Sequence, residues 1–229
     1  MLKTKKKIDR EITIGILGGM GPYATNFFFK RLLDLTPVKL DKDHFHTIID
    51  NNVKIPSRTR AVKYHEQSPV GDIIKSINNL SKIGCSYVML PCNSAHYFHD
   101  PVSKNIDIPW LNMIEIVSNK ILFLNYSKPL ILGGYITTEK KIYSKYLPKS
   151  VYLSANENRE IESIIEEIKI ENKLNKNSEK TLKSIIKNYE DSIDSILLGC
   201  TELPIVINEN YFKGKKAISS IDEYIKYLL

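Results

Sequence analysis

The stretch ITIGILGGMGP, residues 12–22, joins an apolar, β-branched run to a cluster of glycines that ends in proline. Apolar residues then recur at helical spacing over residues 23–35, so this region predicts a strand, a tight turn and a helix. Further strands are predicted at 45–49, 87–90, 130–132 and 193–198, and further helices at 70–83, 111–124, 138–147, 157–170, 178–189 and 221–228. Strands that alternate with helices indicate parallel βαβ units and an α/β fold.

Two segments of the first part of the chain recur in the second part. ILGG at residues 16–19 is repeated at 131–134, and YVMLPCN at 87–93 is matched by SILLGCT at 195–201. The repeat predicts two pseudo-symmetric α/β halves, each with a mainly parallel sheet flanked by helices. We assign residues 1–11 to an N-terminal extension, 12–110 to the first half and 111–209 to the second, with 210–229 as a candidate return to the first half.

Each half carries one cysteine directly beyond a buried strand, Cys92 in the first and Cys200 in the second. Ligands of open parallel sheets bind beyond the carboxyl ends of the strands, so two facing halves would bring the two thiols to one active site between them. A strand-to-helix turn favours a thiolate, and a facing thiolate and thiol can remove a proton from one face of a carbon and return one to the other. This pattern predicts cofactor-free inversion of a stereocentre. The competing interpretation is that both cysteines are small packing residues, as we predict for Cys85.

Composition limits the classes of function. The chain has 229 residues, 42% of them hydrophobic, and a net charge of +7. No apolar run approaches the ~18–20 residues that a membrane helix needs, and acidic residues stand where a secretory signal would be apolar, so we expect a cytoplasmic protein without membrane contact. Lysine is scattered rather than clustered, which argues against nucleic acid as a partner. Three cysteines without CxxC or metal-ligand spacing predict neither structural disulfides nor a metal site.

Three motifs resemble the signatures of the aspartate/glutamate racemase family: ILGGMGPYAT at residues 16–25, LPCNSAH at 90–96 and LGCTEL at 198–203. Their order and spacing resemble aspartate racemase more than glutamate racemase, whose second cysteine motif has histidine where this chain has Glu202. The resemblance implies racemisation of a small dicarboxylic amino acid, aspartate with glutamate as a further substrate. It also implies two related halves with the site between them, no cofactor and a homodimer.

The resemblance implies a role for each residue of the two cysteine motifs. Cys92 would be the base for one enantiomer, D in the family's usual assignment, and Cys200 would be the base for the other. The implied contacts to the α-carboxylate are Asn93, Ser94, Ala95 and Thr201. Anion binding at a helix N-terminus agrees with this role, while helix capping is the competing interpretation because it uses the same groups.

The second carboxylate of a dicarboxylic substrate is expected to be bound by a positively charged side chain. Arg58, in IPSRT at 55–59, resembles an arginine that contacts substrate in archaeal-type aspartate racemases, and a guanidinium suits a carboxylate. Lys169, in EEIKI at 166–170, resembles a lysine on the opposite side of the family's site, although a helix lysine beside two glutamates is often a surface ion pair. His96 either influences the charge of the site or is satisfied within the packing, and Glu202 either bonds substrate or caps the following turn.

Alternatives to the racemase interpretation come from one motif and from the scaffold itself. GMGPYA at residues 19–24 satisfies the dinucleotide-binding pattern GxGxxG/A, but Pro22 removes an N–H that a pyrophosphate would use, and a nucleotide site gives no reason for paired cysteines. Another dicarboxylate isomerase or a decarboxylase would use one cysteine as nucleophile or acid. A non-catalytic dicarboxylate-binding protein would keep the pocket without turnover.

Overall fold

Strands and helices alternate along residues 11–229, which are the residues that the computed structural model describes. The strands are β1 (Thr13–Gly18), β2 (His46–Asn51), β3 (Tyr87–Met89), β4 (Pro129–Leu132), β5 (Val151–Tyr152), β6 (Ser195–Leu198) and β7 (Ala217–Ser219). The α-helices are α1 (Pro22–Leu35), α2 (Arg58–Lys63), α3 (Val70–Lys82), α4 (His99–Ser103), α5 (Met113–Phe123), α6 (Tyr135–Glu139), α7 (Ala155–Glu171), α8 (Lys176–Lys187), α9 (Leu203–Val206) and α10 (Ser220–Ile225). Residues 1–10 of the predicted N-terminal extension lie outside the described range.

The strands form two separate sheets, one in each half of the chain. The first has the order β2-β1-β3 and the second the order β5-β4-β6-β7, and all of these pairings are parallel. Buried residues on β1, β3, β4 and β6 are almost wholly aliphatic, as expected for strands covered on both faces. The prediction of two α/β halves, each with a parallel sheet flanked by helices, is confirmed.

The C-terminal segment contacts both halves. Strand β7 extends the second sheet through its pairing with β6, whereas helix α10 packs against α1 of the first half and against α5. The Arg31 guanidinium on α1 donates two hydrogen bonds to the Asp222 carboxylate on α10, at 2.9 and 2.7 Å. The division of the chain at residues 110 and 209 stays a prediction.

The repeated glycine turns have the same physical cause in both halves. A Cβ on Gly18 would lie 2.2 Å from Cγ2 of Thr25, and a Cβ on Gly133 would lie 2.7 Å from Cγ2 of Thr137. In each half the first helix after the turn therefore approaches the end of its strand too closely for any side chain. Gly19 has a φ of +88°, and a Cβ there would meet the backbone of the loop after β2.

The helix predicted at residues 138–147 is wrong. The chain is helical only over Tyr135–Glu139, and a series of turns follows to residue 146. Lys141 has a φ of 47°, a left-handed conformation that a continuing α-helix does not allow. The turns bring Tyr143, which is fully buried, into the core that contains residues of both halves. Five elements of two to six residues were not predicted: β5, β7, α2, α4 and α9.

No helix of residues 11–229 is both long and apolar enough to cross a membrane.

Candidate active site

The two cysteines lie at corresponding places in the two halves. Two residues separate Cys92 from the end of β3, and a 3-10 turn, Asn93–Phe98, begins directly after Cys92. One residue separates Cys200 from the end of β6. Both are therefore beyond the carboxyl ends of parallel strands, where ligands bind in folds of this class. Cys92 is 6% exposed, and Cys200 is half-buried.

A carboxylate stands directly beside the second thiol. Sγ of Cys200 donates a hydrogen bond to Oε2 of Glu202 at 2.9 Å, and the hydroxyl of Thr201 donates to the same oxygen at 3.3 Å. Glu202 is only 3% exposed, and its side chain does not cap α9. Burial and then the negative charge of Glu202 raise the pKa of Cys200 well above its usual value, against the opposing effect of Lys169. Cys200 is therefore a thiol, with its proton held towards the carboxylate.

Lys169 joins the groups of both halves electrostatically. Part of its side chain is exposed on α7, while its ammonium lies within electrostatic reach of Cys200, Glu202, Cys92 and Arg58. Desolvation lowers the pKa of Lys169, but the two cysteines and Glu202 raise it by more, so the ammonium stays charged. The competing interpretation is a surface ion pair of Lys169 with Glu166 or Glu167. Among residues 11–229, Lys169 forms no ion pair with either glutamate.

Arg58 braces the first glycine turn from the start of α2. Its terminal nitrogens donate to the carbonyl oxygens of Pro56, at 3.2 Å, and Met20, at 3.1 Å. Nε is buried and has no hydrogen-bond partner in the described part of the chain. The guanidinium is thus held by backbone on one side, which leaves Nε as its unsatisfied donor. The positive charge of Arg58 also acts on Lys169, whose pKa it lowers.

The turn after Cys92 uses some of its predicted donors internally. The backbone N–H of Ala95 donates to the carbonyl oxygen of Cys92 at 3.2 Å, so it is engaged within the turn. A contact of Ala95 with a substrate carboxylate stays a prediction. Ser94 is half-buried. Asn93 is almost fully buried, with Nδ2 donating to the hydroxyl of Ser220 at 3.1 Å, so one amide N–H remains for a ligand.

His96 stabilises the Cys92 turn through a hydrogen bond to its backbone. Its Nδ1 bonds the Cys92 carbonyl oxygen at 2.9 Å, and its ring packs 4.7 Å from the ring of Trp110, centroid to centroid. Burial lowers the pKa of His96 to about 3, so the ring is neutral in the physiological range. His96 belongs to the packing. Cys85 is also a packing residue, since burial raises its pKa and its Sγ would lie 3.2 Å from a Cβ at Gly15.

The roles of two residues, Glu202 and Tyr143, depend on the fold and not on a local sequence pattern. The position of Glu202, two residues after Cys200, indicates that it could contact the thiol. The direction of its side chain depends on the fold. It also reaches the first half, because a Cβ on Gly21 would lie 3.5 Å from Oε1 of Glu202. Tyr143 had no local signal. Its hydroxyl donates to Oδ1 of Asn93, a residue 50 positions earlier in the chain.

A cavity of about 530 Å³ lies between α1 and β7, and none of the predicted site residues line it. Its charged side chains pair with one another, as in the contacts of Arg31 with Asp222 and Lys226 with Glu223, both at 2.7 Å. Within residues 11–229, no three or more His, Cys, Asp or Glu side chains cluster as metal ligands.

Comparison with known proteins identifies the family. A profile of the Asp/Glu/hydantoin racemase family matches residues 17–226. The broad specificity amino-acid racemase RacX of Bacillus subtilis (strain 168) is 26% identical over 202 residues, which are 85% of this chain and 87% of that protein. Picrophilus torridus aspartate racemase superposes with a TM-score of 0.84 at 26% identity, over 95% of this chain and 100% of that one. A glutamate racemase of Bacillus anthracis shares the fold, with a TM-score of 0.65 at 18% identity over 96% of this chain and 81% of that one. The protein is an isomerase of the amino-acid racemase type and belongs to the Asp/Glu/hydantoin racemase family.

Proposed function

We propose that this racemase interconverts L- and D-aspartate, with glutamate as a further substrate, by two-base proton transfer between Cys92 and Cys200 and without an added cofactor. The observation that carries the proposal is the position of the two thiols, each beyond the carboxyl end of a parallel strand in its own half, with Sγ of Cys200 2.9 Å from Oε2 of Glu202. The charges of both cysteines and of Glu202 also act on Lys169. The names of two similar proteins, an aspartate racemase and a broad specificity amino-acid racemase, support the substrate class.

The protonation of Cys200 gives the two thiols different starting roles. Cys92 removes the α-proton as a thiolate, and the Cys200 thiol delivers its proton to the opposite face of the carbanion. After one inversion, Cys92 carries the proton and Cys200 is the thiolate, so the reverse reaction begins from that form. The ammonium of Lys169 stabilises the Cys200 thiolate, because its charge acts to lower the pKa of Cys200.

The cations of the site suit a substrate with two carboxylates. Nε of Arg58 is an unsatisfied buried donor, and Lys169 carries a full charge at the same site. We assign the side-chain carboxylate of the substrate to these two residues. The α-carboxylate is assigned to the cysteine turns, with Asn93 and Ser94 on one side and the backbone N–H of Thr201 on the other, because the Thr201 hydroxyl already donates to Glu202. A homodimer in the cytoplasm remains the expected assembly and location.

The proposal predicts loss of the α-proton signal in D2O. We expect purified protein, with reducing agent and no cofactor, to replace the α-proton of L-aspartate by deuterium and to form D-aspartate, with L-glutamate as the parallel substrate. Proton NMR measures exchange, and chiral chromatography measures inversion. Turnover to a product other than the enantiomer would favour another dicarboxylate isomerase or a decarboxylase. Thermal stabilisation by dicarboxylates without exchange would favour a binding protein.

Glu202 is predicted to set the pH range of Cys200. Glu202→Gln removes the charge that raises the pKa of Cys200, so the pKa falls and the thiolate forms at lower pH. In the direction that uses Cys200 as base, the rising limb of kcat/KM should move to lower pH. The measurement is the rate in each direction from pH 6 to 10, with Glu209→Gln, an exposed glutamate paired with Lys216, as the matched control. An unmoved limb would contradict the role of Glu202.

A further inference from the structure

A buried tyrosine of the second half reaches the cysteine turn of the first half. Tyr143 is fully buried, and its hydroxyl donates a hydrogen bond to Oδ1 of Asn93, the residue after Cys92. Nδ2 of Asn93 donates in turn to the hydroxyl of Ser220, at the start of α10. Three buried side chains from three distant parts of the chain therefore form one hydrogen-bonded series with Asn93 at its centre.

The Tyr143 hydroxyl is a permanent donor in this series. Burial raises the pKa of Tyr143 well above its usual value, and the charges of Tyr152 and Cys200 add to the effect. The phenol therefore keeps its proton, and it lies close enough to Cys200 for the two groups to interact. One hydroxyl thus contacts the turn that carries Cys92 while standing near the other thiol.

Tyr224 shows what a purely structural tyrosine does in the same core. It is also fully buried, and its hydroxyl donates to the carbonyl oxygen of Leu111 at 2.6 Å and accepts from the backbone N–H of Leu90 at 3.4 Å. Both partners are backbone groups beside regular elements: Leu90 directly follows β3, and Leu111 lies two residues before α5. The partner of Tyr143 is instead a side-chain amide, whose orientation depends on the hydroxyl that holds it.

We propose that Tyr143 is a positioning residue for the two-thiol reaction: its hydroxyl fixes the Asn93 amide and the Cys92 turn relative to Cys200 across the two halves. The inference rests on the proposed function. With Oδ1 held by Tyr143 and one N–H held by Ser220, the second N–H of Asn93 is directed to the α-carboxylate of the substrate. Without the hydroxyl, the amide can rotate and the α-carbon loses its alignment between the thiols.

The test compares Tyr143→Phe with Tyr224→Phe, which removes an equally buried hydroxyl. We expect Tyr143→Phe to lower kcat/KM for aspartate racemisation by about 10- to 100-fold, and Tyr224→Phe to lower the melting temperature with kcat/KM within about threefold of wild type. In an Asn93→Ala background, Tyr143→Phe should have almost no further effect, because the hydroxyl acts through Asn93. Equal losses in the two tyrosine variants, or additive losses with Asn93→Ala, would overturn the proposal.

A second measurement does not depend on turnover. Iodoacetamide alkylation, followed peptide by peptide by mass spectrometry, reports the reactivity of each cysteine. We expect Tyr143→Phe to raise the alkylation rate of Cys92 several-fold and to leave Cys85 unchanged, and Tyr224→Phe to change neither. Should Tyr143→Phe not fold, Ser220→Ala, which interrupts the series at its other end, is expected to give the same change. Wild-type protein without exchange or racemisation would defeat the proposed function alone, whereas unaltered Cys92 reactivity would defeat the positioning role.

Discussion

Replacing either Cys92 or Cys200 by serine is expected to lower aspartate racemisation by about 10²- to 10⁴-fold in both directions. A serine hydroxyl is far less acidic than a thiol, so it neither takes the α-proton as an anion nor donates it readily at neutral pH. Because inversion needs a proton removed on one face and added on the other, the loss of one partner stops the reaction as a whole. Chiral chromatography of each variant with L- and with D-aspartate measures the loss.

The two serine variants should differ in what they retain. In Cys200→Ser the remaining Cys92 can still remove the α-proton on its own face and return deuterium to that face. NMR should therefore show exchange of one enantiomer without inversion, and Cys92→Ser should show exchange of the other enantiomer. Cys85→Ala is the matched control, because Cys85 is a buried packing residue, and it should keep activity within about twofold. Full racemisation by either serine variant would disprove the two-thiol mechanism.

The sequence predicted those parts of the fold that local pattern determines. The repeated ILGG segments at 16–19 and 131–134 predicted two glycine turns, and both turns have the same cause, a threonine packed where a Cβ would stand. The buried strands were predictable because strands covered on both faces are continuously apolar. The strand-to-turn position of each cysteine followed from the same patterns.

What the sequence could not predict depends on contacts between distant residues. The segment 138–147 has helical spacing, but Lys141 takes a left-handed conformation and Tyr143 turns into the core to meet Asn93. No local pattern contains that contact. A motif predicted that the Arg58 guanidinium binds a substrate carboxylate. In the structure, two of its nitrogens donate to the backbone carbonyl oxygens of Pro56 and Met20, and the Met20 oxygen is brought there only by the folded turn.

Lys169→Met is expected to lower kcat/KM for aspartate by about 10²-fold. The change removes a charge-assisted contact with the side-chain carboxylate, which accounts for a rise in KM. It also removes the positive charge that opposes the high pKa of Cys200, so that pKa rises further. In the direction that uses Cys200 as base, the rising limb of kcat/KM should therefore move to higher pH, opposite to the shift expected for Glu202→Gln.

The rising limb of kcat/KM is expected to move to higher pH in Lys169→Met and to lower pH in Glu202→Gln. These opposite shifts distinguish an electrostatic role for Lys169 from a contribution to folding. A variant that is only destabilised would lose activity at every pH. The rising limb of its kcat/KM profile would not shift along the pH axis. Lys173→Met is the matched control, since Lys173 is exposed and pairs with Glu171 at 3.2 Å near the end of α7. We expect it to keep the wild-type pH profile and a KM within about twofold. If Lys169→Met leaves both KM and the position of the rising limb of kcat/KM unchanged, Lys169 is not part of the site.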